Sequence, residues 1–230
     1  MTLLIRPVTG IPEIQSGDVL AEVIAEHAEL VNGDVVVVTQ KIVSKAEGRV
    51  VPADDDPATK LRLVLDEAVR VVRRRGDLMV TETRHGFVCA NSGVDLSNIE
   101  KGHAALLPVD PDRSARRIRD GIRGRTGAEV GVIVSDTFGR AWRRGVTDVA
   151  IGVAGIAAIV DLRGTEDATG RELQATEVCV ADEIAAAAEL VMGKATNVPV
   201  AIVRGVDPAY LRESSVREEI VRPPAEDLFR

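Results

Sequence analysis

Apolar positions recur every three to four residues in some stretches of the chain and run without interruption in others. Leu20, Val23, Ile24, His27 and Leu30 share one helical face, which predicts a helix over residues 19–30. Asn32, Gly33 and Asp34 end it, and the β-branched run Val35–Thr39 reads as a buried strand. The acidic, proline-bearing stretch 52–57 predicts a loop. Leu61, Leu65, Ala68, Val69 and Val72 then predict a helix over 59–75, whose finish Arg73-Arg74-Arg75 suits the negative end of a helix dipole. Short strands are expected over 78–83 and 86–90. Asp110 and Pro111 open another helix, with Ala115, Ile118 and Ile122 facing inward. A strand over 129–135, a Gly- and Ala-rich strand pair or sheet bend over 151–162, a helix over 176–192 and a strand over 199–203 complete the pattern. The tail from Asp207 is charged and weakly periodic. No internal repeat, low-complexity segment or linker is visible, so residues 1–230 predict one α/β body with a loose subdivision.

Composition narrows the function classes. The 230 residues are 45% hydrophobic and 28% charged, the balance of a soluble globular protein. Aromatics make up only 2%, so the core must be aliphatic and the stacking platforms of single-strand nucleic-acid binders are missing. The net charge is −7, and no basic block stands apart from acidic neighbours, which also argues against nucleic acid. No run approaches the roughly 20 apolar residues that span a bilayer, and residues 1–7 lack a signal peptide's apolar core. A cytoplasmic protein with no membrane partner is expected. Cys89 and Cys179 lie far apart with no CxxC spacing and read as buried free thiols.

Four Gly- or polar-rich segments interrupt the scaffold. Residues 9–14, followed by Gly17 and Asp18, are either a turn into a helix or a stretch that Gly10 lets a ligand approach. Residues 39–49 follow a strand, where α/β proteins bind ligands. They carry Lys41 and Lys45 in what reads as a polar loop suited to phosphate, or as a solvated turn. Their spacing is not that of a Walker loop. In residues 89–98, Asp95 stands among small polar side chains and could give Mg²⁺ one carboxylate or close an Asx-turn. Asp136 and Thr137 are placed at an exposed strand end, ahead of Arg140, Arg143 and Arg144 around the sole tryptophan, Trp142. Guanidinium forks suit an anionic substrate, and a surface ion-pair patch would look alike. His27 falls on the inner helix face, while His85 and His103 lack zinc-site spacing. From the residues alone, the reading reaches a Mg²⁺-assisted phosphate site of two aspartates and a lysine.

Taken together, the segments GIPEI at 10–14, GDVVVVTQKIVSKAEGR at 33–49, NSGVDLSN at 91–98, LLPVDPDRSA at 106–115, SDTFGRAWRRG at 135–145, TEVCVADEIAAAAELVMGK at 176–194 and PVAIVRG at 199–205 resemble the coenzyme F-420-0:L-glutamate ligases, also called F-420:gamma-glutamyl ligases. The resemblance implies a mixed α/β (α+β) fold with largely antiparallel sheets, unlike Rossmann or P-loop architectures, in an intertwined homodimer. It implies GTP-dependent addition of L-glutamate to coenzyme F-420-0 through an acyl phosphate, with one or two Mg²⁺ or Mn²⁺ ions and K⁺ as a further candidate. Asp95 and Asp136 would be catalytic and hold one metal ion, and Thr137 would touch a second. Ile11, Pro12, Glu13, Ile14, Gln40, Lys45 and Asn98 would bind the nucleotide, with Met192, Gly193, Lys194, Ala195, Thr196 and Asn197 closing over it. Lys194 departs from the pattern, standing where archaeal members tend to carry a metal-binding glutamine. Some actinobacterial members continue into a nitroreductase-like domain, so this chain resembles the stand-alone form or the amino-terminal half. The rivals are a non-catalytic deazaflavin- or nucleotide-binding module and a metal-dependent phosphohydrolase.

Overall fold

A computed structural model describes residues 2–54, 56–97, 99–227 and 229. In chain order the first half runs β1 (Leu4–Pro7), α1 (Leu20–His27), β2 (Val35–Thr39), α2 (Gln40–Ala46), β3 (Val50–Pro52), α3 (Pro57–Glu67), β4 (Ala68–Arg75), β5 (Leu78–Thr83), β6 (Val88–Ala90) and β7 (His103–Ala105). The second half runs α4 (Pro111–Thr126), β8 (Gly131–Gly139), β9 (Val146–Ala154), β10 (Val160–Asp161), β11 (Glu177–Val178), α5 (Val180–Met192), β12 (Val200–Arg204) and α6 (Val216–Glu219).

The main sheet has the order β1-β12-β2-β8-β9. Among the described residues, only β2 and β8 pair in parallel, and the other ladders of this sheet are antiparallel. Val35, Val36, Val37 and Val38 are fully buried at the centre of this sheet, which is why β2 reads as an unbroken apolar run. Each such side chain contributes roughly 1.5–3 kcal/mol by leaving water. Helices α4 and α5 pack on the sheet. Helix α4 starts as its sequence dictates: the Asp110 carboxylate accepts the Arg113 N–H at 2.9 Å, Pro111 sits in the first turn, and Gly127 closes the other end at φ 76°. Its fit against β9 is close enough that a Cβ on Gly152 would lie 2.3 Å from the Pro111 backbone.

A smaller unit holds β3 with β7, the sheet β4-β5-β6, and α3. Its separate apolar cluster joins Ala53, Val64, Met79, Val94, Ala104 and Leu106. The mixed α/β architecture with mostly antiparallel sheets matches the expectation.

Several local expectations are corrected. The helix expected over 59–75 stops at Glu67, and residues 68–75 form strand β4 instead. The turn at Gly76, φ 59°, folds Arg75 back onto Leu78, and the β-branched Val69, Val71 and Val72 suit that hairpin better than a helix. Arg73, Arg74 and Arg75 therefore lie on an exposed strand, away from any helix dipole. The polar loop after β2 is helix α2. Strand β8 runs on to Gly139, so Asp136 and Thr137 sit within it, half-buried. Helix α5 begins only at Val180, after the short strand β11. His27 is exposed, its Nδ1 2.8 Å from the Val23 carbonyl oxygen. Cys89 is buried and Cys179 half-buried; both thiols are free, and burial pushes both up to about 12. Among the described residues, no helix is long and apolar enough to cross a membrane.

Candidate functional site

Because β2 and β8 run parallel with Thr39 opposite Ser135, the residues that follow emerge side by side: Gln40 and Lys41 in the first turn of α2, Asp136 and Thr137 in the continuation of β8. They open into a cleft of about 750 Å³. Its other walls are Ile11 to Ile14, the turn bearing Asp95, the start of β9, and the segment that leaves α5. The β8–β9 ladder slips by one residue between Val134 and Ser135, and beyond this bulge Asp136 pairs with Val149 and Thr137 with Asp148. Bulges re-aim side chains in this way beside active sites.

Asp95 is held rigidly. Asn91 and Ser92 adopt φ of 50° and 55°, unusual for non-glycine residues, and the surrounding structure fixes them there. The Asn91 amide oxygen accepts the Met79 N–H at 3.0 Å, and Ser92 Oγ donates to the Val64 carbonyl at 2.8 Å. Gly93 has no room for a side chain, since a Cβ would stand 2.7 Å from Leu107 Cγ. The chain then bridges to Ala105, and the Asp95 carboxylate accepts from Lys41 Nζ at 2.8 Å and from the Ser97 N–H at 2.7 Å. Burial opposes its ionisation, but these bonds outweigh it and hold the carboxyl below the usual range.

Asp136 faces the opposite balance. Burial, helped by the nearby charges of Asp148 and Asp95, pushes its pKa up to about 7 against the Thr137 N–H and Lys41. Two carboxylates with one lysine nearby leave negative charge that a cation would relieve. Among the described residues, no group of three His, Cys, Asp or Glu side chains could enclose a metal ion. The donor set therefore fits Mg²⁺ or Mn²⁺ held by one or two carboxylates, substrate phosphates and water, and does not fit a closed zinc site.

A second ionic cluster stands beside the first. Lys194 Nζ lies 2.7 Å from Asp148 Oδ1 and 2.9 Å from Glu189 Oε1, and it also donates to Thr137 Oγ1. Asp148 is 2% exposed and accepts in addition from Thr137 Oγ1 at 2.7 Å and Ser135 Oγ at 3.2 Å. Partial burial would lower Lys194, but its bonds to Asp148 and Glu189 outweigh this and raise its pKa, so it stays an ammonium.

The cleft gathers most of the residues expected from sequence. Ile11, Pro12, Glu13, Ile14, Gln40, Lys45, Asp95, Asp136, Thr137, Gly193, Lys194 and Asn197 line it. Lys45 reaches across to Glu13 at 2.5 Å, tying the 11–14 segment to α2. Gln40 is buried, its amide donating to Ser44 Oγ at 2.6 Å and to the Leu106 carbonyl at 3.2 Å. Met192 points into the core and is fully buried, because it lies on the inner face of the last turn of α5. Ala195 and Thr196 are exposed outside the lining. Asn98 lies outside the described residues. Arg140, Arg143 and Arg144 stay at the exposed β8–β9 tip beside Trp142, which is 91% exposed. Lys41, offered by the sequence together with Lys45 for phosphate, is the lysine that reaches Asp95, and the sequence singles out neither Asp148 nor Glu189. Asp148 could have been found from the hairpin, which sets it opposite Thr137, whereas no local signal marks Glu189.

Residues 9–205 match the family described as F420-0:Gamma-glutamyl ligase. The chain belongs to that family. A protein of Methanopyrus kandleri named Coenzyme F420:L-glutamate ligase is 44% identical, covering 100% of this chain and 98% of its own length. Proteins of the same name from Methanothermobacter thermautotrophicus and Archaeoglobus fulgidus are 41% and 42% identical, with 97% and 100% of this chain covered and 97% of their own lengths. Membership and cleft converge, since the family match spans every described wall of the site.

Proposed function

We propose that this cleft joins L-glutamate to the terminal carboxylate of coenzyme F420-0 in an amide bond, and then extends the chain through gamma linkages, at the expense of GTP. The observation that carries the reading is that Asp95, its ion-pair partner Lys41 and Asp136 line one cleft, in a chain whose relatives are named for this ligation. A carboxylate acylates poorly. Its oxygen would attack the γ-phosphorus of GTP, releasing GDP and leaving an acyl phosphate. The glutamate amine would then attack the acyl carbon, with phosphate as leaving group and one proton lost from nitrogen. Mg²⁺ or Mn²⁺ held by Asp95 and Asp136 would neutralise charge between the nucleotide and the acceptor.

The protein's own groups have separate tasks in this scheme. Lys41 keeps Asp95 ionised and fixed against the Ser97 turn. Lys45, carried on α2 opposite Glu13, would exchange part of that contact for a phosphate oxygen. Ile11, Pro12 and Ile14 supply the apolar wall, and the bend after α5 closes the opposite side. We further propose that two copies associate through the edge strand β4. There Val69, Val71 and Val72 are exposed, beside Leu78 on β5 and Val88 on β6.

The test is mass spectrometry of purified protein with F420-0, L-glutamate, GTP and Mn²⁺, together with phosphate release. Glutamylated product, with phosphate release that depends on both acceptor and glutamate, is expected. Phosphate released without glutamate would indicate a phosphohydrolase, and acceptor binding without any turnover would indicate a binding module.

A further inference from the structure

Thr137 is the residue at which the family resemblance places a second cation, yet its hydroxyl here meets a lysine. The Lys194 ammonium is bonded to Asp148 Oδ1 at 2.7 Å, Glu189 Oε1 at 2.9 Å and Thr137 Oγ1. Two carboxylates and a hydroxyl around one point form the oxygen cage that a hard cation would otherwise take. Mg²⁺ or Mn²⁺ would need oxygens at about 2.0–2.2 Å, in the space the ammonium fills, and a protonated lysine has no lone pair to offer as ligand. The placement is built into the fold. Gly193, at φ 63°, ends α5 and turns the chain so that Lys194 lies back over Glu189, one turn earlier on the helix. Asp148 is anchored from the other side by Ser135 and Thr137 on β8.

We propose that the Lys194 ammonium permanently occupies the second cation position, so that this chain binds one divalent ion with its nucleotide where a two-ion site would bind two. The inference rests on the nucleotide-and-metal reading of the cleft. The Asp95–Asp136 position is a separate one: the lysine that donates to Asp95 is Lys41, at 2.8 Å.

The experiment counts Mn²⁺ per chain, by equilibrium dialysis and electron paramagnetic resonance, in the presence of a non-hydrolysable GTP analogue. The wild-type protein should hold one ion. Lys194→Gln, which offers a carbonyl oxygen in place of the ammonium, and Lys194→Ala, which merely vacates the cage, should each hold one more ion than wild type. Two ions in the wild type would overturn the proposal, and so would counts in both variants equal to wild type. Lys194 is about half exposed, and thermal unfolding checks that both variants fold. Should they fail to fold, the wild-type count decides alone: one ion supports the proposal and two overturn it. Failure of the ligase reading is seen separately, as absence of glutamylated product from the wild type, and leaves the difference in ion count intact as a readout.

Discussion

Asp95 and Asp136 share a cleft but not a charge environment. Lysine and backbone donors hold Asp95 ionised, while burial and neighbouring carboxylates resist the charge on Asp136. Asp95→Asn and Asp136→Asn are each expected to lower glutamate ligation at least 10²-fold, the scale on which loss of one preorganised charge interaction acts. The far-ultraviolet circular dichroism should be unchanged, and turnover near wild type in saturating Mn²⁺ would refute the paired-carboxylate assignment. Lys45 is a different case, because its ammonium is already paired with Glu13. Lys45→Ala should weaken GTP binding about 10- to 100-fold, on the order of 1.5–3 kcal/mol for a charge-assisted bond. Calorimetry with GTP checks this, and an unchanged Kd would leave Lys45 as a tether for the 11–14 segment. At this scale the sequence was informative wherever a polar residue follows an apolar strand. It could not choose Lys41 over Lys45, since both lie on α2 and only the folded turn at Ser97 shows which one reaches Asp95.

Elements are held in place by a few buried polar ties. The Asp34 carboxylate, fully buried at the start of β2, accepts Arg204 Nε and a terminal guanidinium N–H at 2.7 Å each, at the end of β12. Arg204→Met would leave that carboxylate buried with only the Val31 N–H at 3.0 Å. A lower unfolding midpoint in urea is expected, because the Asp34 carboxylate would stay buried without its charged partner. Adding Asp34→Asn to Arg204→Met should recover part of the loss. Periodicity identified α4, β2 and β5 closely, because each buries a complete face whose spacing is visible in the chain. It failed over 59–75, where apolar residues at helical spacing continue from α3 into an exposed strand. Pairing with β5 decided that stretch, and pairing is not a local property.

At the scale of the whole molecule, the exposed valines of strand β4, set among Arg70, Arg73, Arg74 and Arg75, are the feature least satisfied by a single chain. Val69 is 65% exposed and Leu78 49%, on a three-stranded sheet whose outer edge is open. Light scattering after size exclusion should give a dimer for the wild-type protein. Val69→Glu combined with Val72→Glu should shift it toward monomer, while the main sheet, which β4 does not join, keeps its thermal transition. A wild-type monomer at micromolar concentration would rule this association out.

The chain by itself determined the aliphatic core, the central apolar strand β2 and the capped helix α4, and it singled out Asp95 and Asp136 as candidate site carboxylates. These follow from composition, burial periodicity and short-range turn chemistry, all local in sequence. Only the tertiary structure decided which lysine serves which aspartate, that Asp136 lies within a strand, and that Lys194 closes on Asp148 and Glu189. The reason is physical. The parallel β2–β8 ladder joins residues almost a hundred positions apart, and the β8–β9 bulge sets which face Asp136 and Asp148 present. The last turn of α5 supplies Glu189 from a third element. A charge's role depends on what stands within a few ångströms of it, and that neighbourhood comes from strand register and helix packing, which no local pattern encodes.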